Sequence, residues 1–214
     1  IAAIQVVKEK NQSIPNLAQR DWVSIVSFDK ISGGFYPEVR LALTGNYDAA
    51  MQACTTLQTV SDIGASTATE TGLIVARNHI KPTTEGGQGR ILTNKVVVLL
   101  TDGVPNLYST SSSTISKYVK DNPSSNFYGS SSNYQYNAAL MQTHQMQASH
   151  WFVYPVGLGM GTDYDFMDRL ARTGATANES GNGYRSSGNP AQYEQVLVNI
   201  FTEIINTPRV RLVQ

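Results

Sequence analysis

Two short segments put oxygen ligands where chemistry could occur. Asp102 ends the run Val96-Val97-Val98-Leu99-Leu100-Thr101 and is followed by Gly103. Ligands of doubly wound sheets bind at the carboxyl ends of the strands, and carboxylate oxygens suit hard cations such as Mg2+ or Ca2+. The plainer use of Asp-Gly is to make a turn. Thr67 lies in a loop that opens a helix. Its hydroxyl is either a second oxygen ligand or a helix cap.

Other patterns point away from catalysis. Gly157-Leu158-Gly159-Met160-Gly161 follows a strand, but its third glycine falls one position early for a dinucleotide loop, and no acidic residue ends a suitable next strand. Gly64-Ala65-Ser66-Thr67-Ala68 lacks the final glycine of a nucleophile elbow. His79, His144 and His150 lack metal-ligand spacing. Asn11-Gln12-Ser13 and Asn178-Glu179-Ser180 match the glycosylation pattern, which short stretches also meet by chance.

The elements that must position Thr67 and Asp102 are legible. Ile1, Ile4 and Val7 have helical spacing, so the chain begins inside a helix, which Pro15 closes off. Trp22 to Phe28 alternates as a strand. Gly33-Gly34 turns the chain, and Phe35 to Leu43 is a second strand, at an edge because Pro37 lacks a donor. Helices are expected over Tyr47 to Leu57, Thr69 to Ile80, Tyr136 to His150, Asp163 to Arg172 and Pro190 to Asn206. Glu85 to Gly89 is a glycine-rich, hairpin-like loop. Lys95 to Thr101 and Trp151 to Gly157 are continuous apolar runs, expected as strands buried on both faces. Alternating strands and helices predict an α/β fold with a mostly parallel sheet and helices on both faces.

Composition narrows the class. The chain has 214 residues, enough for one large domain. Sixteen basic residues balance sixteen acidic ones, which argues against a nucleic-acid surface. No apolar run is long enough to span a membrane. Ser, Thr and Asn number 20, 19 and 15, so 54 of 214 residues replace the missing charge as solvated surface. That style fits an extracellular or cell-surface protein. The single Cys54 cannot form an intrachain disulfide. The first residues, Ile1-Ala2-Ala3-Ile4, suggest a processed or truncated product, with any export signal upstream.

Together, Ala65-Ser66-Thr67-Ala68-Thr69-Glu70-Thr71-Gly72-Leu73 and Val96 to Gly103 resemble the threonine loop and the aspartate strand of von Willebrand factor A domains. Val23 to Phe28 resembles that family's second strand, and Phe152 to Gly157 with the helix to Arg172 resembles its late strand and helix. The resemblance covers nearly the whole chain. It implies a doubly wound, Rossmann-like sheet in a single domain over 1–214. It also implies a metal-ion-dependent adhesion site in which Thr67 and Asp102 help to hold Mg2+ or Ca2+. The family's Asp-x-Ser-x-Ser motif and the central first strand that carries it are absent from these residues. The expectation is therefore a gap between the strands at Val23–Phe28 and Lys95–Thr101, filled by upstream sequence or by another chain.

Asn106 to Tyr134 reads as a Ser/Tyr/Asn-rich surface insertion after Asp102, whose only charges are Lys117, Lys120 and Asp121. Tyrosine among serine and asparagine is the composition of adaptable binding loops. Tyr108, Tyr118, Phe127, Tyr128 and Tyr134 are its candidate partner-binding residues. The expected function is a binding module and not an enzyme: an adhesion domain of bacterial surface or pilus-associated (Tad-like) type that engages a protein ligand. The alternative is a structural subunit of a filament, pilus or surface layer, contacting a neighbouring subunit, with a non-functional ion site.

Overall fold

The computed structural model describes residues 1–31, 36–57, 65–129, 133–186 and 190–206. The turn expected at Gly33-Gly34 lies outside them. In chain order the elements are α1 (Ala2–Asn11), β1 (Val23–Ser27), β2 (Asp29–Ile31), β3 (Glu38–Thr44), α2 (Tyr47–Thr55), β4 (Ala65–Thr67) and α3 (Thr69–Ile80). There follow β5 (Val96–Thr101), α4 (Ser112–Asp121), α5 (Tyr134–Ala148), β6 (Phe152–Leu158), α6 (Tyr164–Thr173), β7 (Tyr184–Ser186) and α7 (Pro190–Asn206). The helices at Thr69–Ile80 and Pro190–Asn206 have the bounds that their sequence patterns predict.

The sheet is in pieces. β5, β6 and β7 form a parallel three-stranded sheet in that order. β1 pairs antiparallel with β3, which forms an edge as Pro37 suggests. β2 pairs antiparallel with β4. On one face of the parallel sheet, Leu73 of α3, Leu140 and Met146 of α5 and Phe166, Met167 and Leu170 of α6 pack with Leu99 and Val153. On the other, Ile200 and Ile204 of α7 cover Tyr154 and Val156. Ile4 of α1 and Tyr47 and Ala50 of α2 pack against Val23, Ile25 and Leu41. Each such side chain, taken from water, contributes about 1.5–3 kcal/mol.

α3 approaches β1 closely because Gly72 has no side chain. A Cβ there would fall 2.3 Å from the Cβ of Phe28. The helix begins where two strands end. Ala68 N–H donates to the Phe28 carbonyl just past β1 (3.1 Å), and Asn106 N–H, after β5, donates to the Thr67 carbonyl (3.1 Å). The opposite ends are also tied. Arg90, ahead of β5, donates to the carbonyls of Ala18 and Arg20, and its guanidinium lies 4.9 Å over the Trp22 ring, ahead of β1. β1 and β5 therefore run the same way and are clasped at both ends.

They do not pair. Among the described residues, β1 carries a ladder on its β3 side alone and β5 on its β6 side alone. This is the gap that the sequence reading expects. It also corrects the expectation of a strand buried on both faces, since Val96 and Leu100 of β5 are 44% and 39% exposed. A strand with a neighbour on one edge leaves its flanks open to water. β6, paired on both edges, is buried along its length.

The pairing makes a residue-level prediction. Phe152 N–H donates to the Lys95 carbonyl, so Val97 and Leu99 also turn their backbone groups to β6, while Val98 and Leu100 turn theirs to the open edge. In amide hydrogen exchange, Val98 and Leu100 should exchange about 100-fold faster than Val97 and Leu99. Equal protection would mean that a partner covers that edge.

Candidate functional site

Thr67 and Asp102 meet at the carboxyl end of the sheet. Thr67 does not sit in a loop, as its sequence suggests, but closes strand β4 through pairing with Asp29. That partner lies 38 positions earlier in the chain, so no local pattern reveals it. Thr67 N–H donates to Asn106 Oδ1 (2.8 Å), and its carbonyl accepts from Asn106 N–H. A Cβ built on Gly103 would lie 3.3 Å from Thr67 Oγ1, so the threonine hydroxyl borders the Asp102-Gly103 turn. Asp102 itself is exposed. Thr101 Oγ1 accepts from Gly103 N–H (3.2 Å) and closes the turn.

A residue that the sequence reading missed holds this arrangement. Glu70, in the first turn of α3, is fully buried. Its Oε2 accepts from Ser109 N–H (2.6 Å), Ser109 Oγ (3.2 Å) and Thr110 N–H (3.2 Å), and its Oε1 accepts from the Thr110 hydroxyl. The carboxylate thus pins the segment after Asp102 to the helix that follows Thr67. Glutamate in a first helical turn is the only local signal, and it is a common one.

The Asn106–Tyr134 stretch differs from the expected surface loop. It contains α4, anchored by fully buried Ile115. Phe127 is buried in the main core, with Tyr118 and Tyr128 packed against it. Tyr118 Oη hydrogen-bonds with His144 Nδ1 (2.8 Å), and Tyr128 Oη donates to Asp165 Oδ2 (3.1 Å) beneath the Arg169 guanidinium. Burial, then the Asp165 carboxylate, pushes the Tyr128 phenol above its ordinary range. Burial likewise raises Tyr118. Phe127 is therefore a core residue, contrary to the expectation of a partner contact, while Tyr118 and Tyr128 are half-buried with their hydroxyls engaged inside the fold. Their apolar rings gained more by joining the core than by staying in water. The Tyr108 and Tyr134 rings meet at a tilt, their centroids 5.9 Å apart, and Tyr108 remains 40% exposed on the rim.

The histidines are dispersed. His79 Nε2 accepts from Leu43 N–H, His144 faces Tyr118, and His150 is exposed. Burial lowers the His79 pKa. Of the two glycosylation patterns, Asn11 is buried, bonded to Val7 and Asp21, whereas Asn178 is exposed in a turn.

No protein-family model matches the chain, and no curated protein sequence does. Solved structures do. The proximal thread matrix protein PTMP1 of the mussel byssus superposes with a TM-score of 0.59 at 16% identity, over 95% of this chain and 42% of that one. The same protein has been solved with zinc occupying its MIDAS motif, with the same score and coverage. SpaC, a pilus adhesin of Lactobacillus rhamnosus GG, superposes with a TM-score of 0.54 at 17% identity, over 95% of this chain and 27% of that one. The fold is von Willebrand A-like. The chain spans less than half the length of these neighbours.

The residues present do not by themselves fit a cation. Among the described residues, no group of three or more His, Cys, Asp or Glu could hold a metal ion. Asp102 and Thr67 offer one carboxylate and one hydroxyl, whereas Mg2+ takes about six oxygens. Calorimetric titration of these 214 residues with Mg2+ or Ca2+ should show millimolar binding or none, and a micromolar site would reveal other ligands. Glu70→Ala should cost about 3 kcal/mol, because it empties a fully buried side-chain site and removes four hydrogen bonds that tie the segment after β5 to α3. The check is a thermal or denaturant melt, and an unchanged melt would show that the clasp carries no stability.

Proposed function

We propose that this chain is an extracellular or cell-surface module that binds a protein partner at the carboxyl ends of its strands. The observation that carries this reading is the rim itself. The β2–β4 pair and the parallel sheet bring Thr67 Oγ1 against the Asp102-Gly103 turn, and buried Glu70 fixes the segment beyond it. Fixed backbone around an exposed carboxylate is a pre-organised contact surface. The fold shared with a pilus adhesin and a byssus matrix protein supports a role in adhesion or assembly. The resemblance to ion-dependent adhesion sites supports the same end of the molecule, with Mg2+ or Ca2+ held only where further ligands join Thr67 and Asp102. The reading is of a binding module, not an enzyme, and the pilus-adhesin neighbour supports a bacterial, pilus-associated type.

A second reading is a structural subunit in which the rim is scaffold. The fold shared with a byssus matrix protein favours it. Among the described residues no helix is long and apolar enough to cross a membrane.

Asp102→Ala and Thr67→Ala separate the two. Asp102 is exposed and Thr67 half-buried, so the first variant should melt within about 2 °C of the parent and the second within about 5 °C. In a pull-down from a surface-protein extract with Mg2+ present, capture of the partner should fall about tenfold in both. Capture that survives both substitutions, or self-association unaffected by them, would favour the scaffold.

A further inference from the structure

The gap between β1 and β5 is walled on all sides. Its two strands run the same way, and each keeps an open backbone edge. Among the described residues, β1 pairs with β3 alone and β5 with β6 alone. Both ends are held. Phe28, Ala68, Thr67 and Asn106 tie the carboxyl ends together, and Arg90 ties the amino ends through the carbonyls of Ala18 and Arg20. Helices line both faces. On one, α3 spans the gap, with Gly72 against Phe28 at the end of β1 and Leu73 packed with Leu99 of β5. On the other, Ile4 of α1 packs with Val23 and Ile25, and Ile200 and Ile204 of α7 pack with Val98. The two helices adjoin there, where Lys10 Nζ donates to the Ile205 carbonyl (2.6 Å).

These walls specify what fits between them. Open N–H and C=O groups on two facing edges are matched by one more β-strand, which bonds to both. Val98 and Leu100 supply the β5 side of that ladder. Helices above and below mean that the inserted side chains meet apolar surfaces on both faces, which requires a continuous apolar run and not an alternating one. The bounding strands, Val23–Ser27 and Val96–Thr101, are five and six residues long and carry no charge. Exposed Leu17, Ile91 and Leu92 flank the Arg90 clasp, so the apolar lining continues past the amino ends of the strands. Water reaches the slot, since Val96 and Leu100 remain exposed. Among the described residues no strand is left to fill it.

We propose that this slot accepts a β-strand donated by a second polypeptide: an extended, uncharged segment of about six residues, rich in valine and isoleucine. The insert joins the two half-sheets into one, in the order β3, β1, insert, β5, β6, β7. The slot is separate from the rim, and filling it needs neither Asp102 nor Thr67. Main-chain hydrogen bonds along both edges and apolar burial carry the affinity, with little salt dependence.

The probe is a capped synthetic peptide of about six alternating valine and isoleucine residues between terminal lysines, added to the full chain. It should slow amide exchange at Val98 and Leu100 about 100-fold, to the level of Val97 and Leu99. At saturation it should raise the melting temperature by about 5 °C. Methylating alternate peptide nitrogens tests the geometry. Either alternate set of methyl groups should abolish binding, because successive residues of an inserted strand bond to opposite walls. Addition to a single open edge, such as the outer edge of β3, would tolerate one of the two sets and would overturn the proposal. Leu100→Asp places a charge on the slot wall and should weaken the peptide about tenfold. Leu100→Ser should weaken it about threefold and serves where aspartate impairs folding. Peptide binding unchanged in the folded variants would place it elsewhere and overturn the slot. Val98 and Leu100 already protected in the chain alone would show that this chain or a second copy fills the gap, which overturns a separate donor. Exchange and melting that the peptide leaves unchanged would overturn it as well.

Discussion

Hydrogen bonds around the first turn of α3 hold together two half-sheets that share no ladder. Phe28 meets Ala68, Thr67 meets Asn106, and Glu70 meets Ser109 and Thr110. Each bond joins segments about 40 residues apart. Without them, β1 and β5 would be linked only through helices and through Arg90 at the far end. The buried carboxylate has the largest stake. A charge with no water must satisfy its oxygens from protein donors, and Glu70 does so with two backbone N–H groups and two hydroxyls. That requirement fixes where the chain after β5 can go.

The same constraint shapes the rim. The segment beyond Asp102 is drawn onto α3, which leaves Asp102 exposed and Thr67 half-buried beside it. From the other side, the β6–α6 loop sets Gly161 against the Asp102 carbonyl, and the Thr162 hydroxyl donates to the Thr101 carbonyl. The exposed carboxylate therefore sits in a frame of fixed backbone. Frames of this kind suit recognition, because little order is lost when a partner lands.

The aromatic residues of the 106–134 stretch show how burial overrides composition. Tyrosine amid serine and asparagine reads as a loop for binding. Yet Phe127 and Ile115 reach the core, and Tyr118 and Tyr128 find polar partners for their hydroxyls in His144 and Asp165. Once the hydroxyl is satisfied, a tyrosine can bury its ring at little cost. Tyr108 is left exposed, with half-buried Tyr134 beside it.

By itself, the sequence determined the parts of this protein that depend on near neighbours. Periodicity in Thr69–Ile80 and Pro190–Asn206 marked helices to the residue, and the apolar runs at Val96 and Phe152 marked parallel strands. The Thr-Asp-Gly end of β5 and the threonine before α3 pointed to one rim, because strand ends and helix starts must converge in such a sheet. Tertiary structure alone decided what depends on distant partners. The short strands β2, β4 and β7, three residues each, exist through pairing and carry no pattern of their own. The role of Glu70, the burial of Phe127 with Tyr118 and Tyr128 packed against the same core, and the exposure of Met160 were equally invisible. Burial and hydrogen-bond satisfaction are properties of the assembled surroundings and not of the residue.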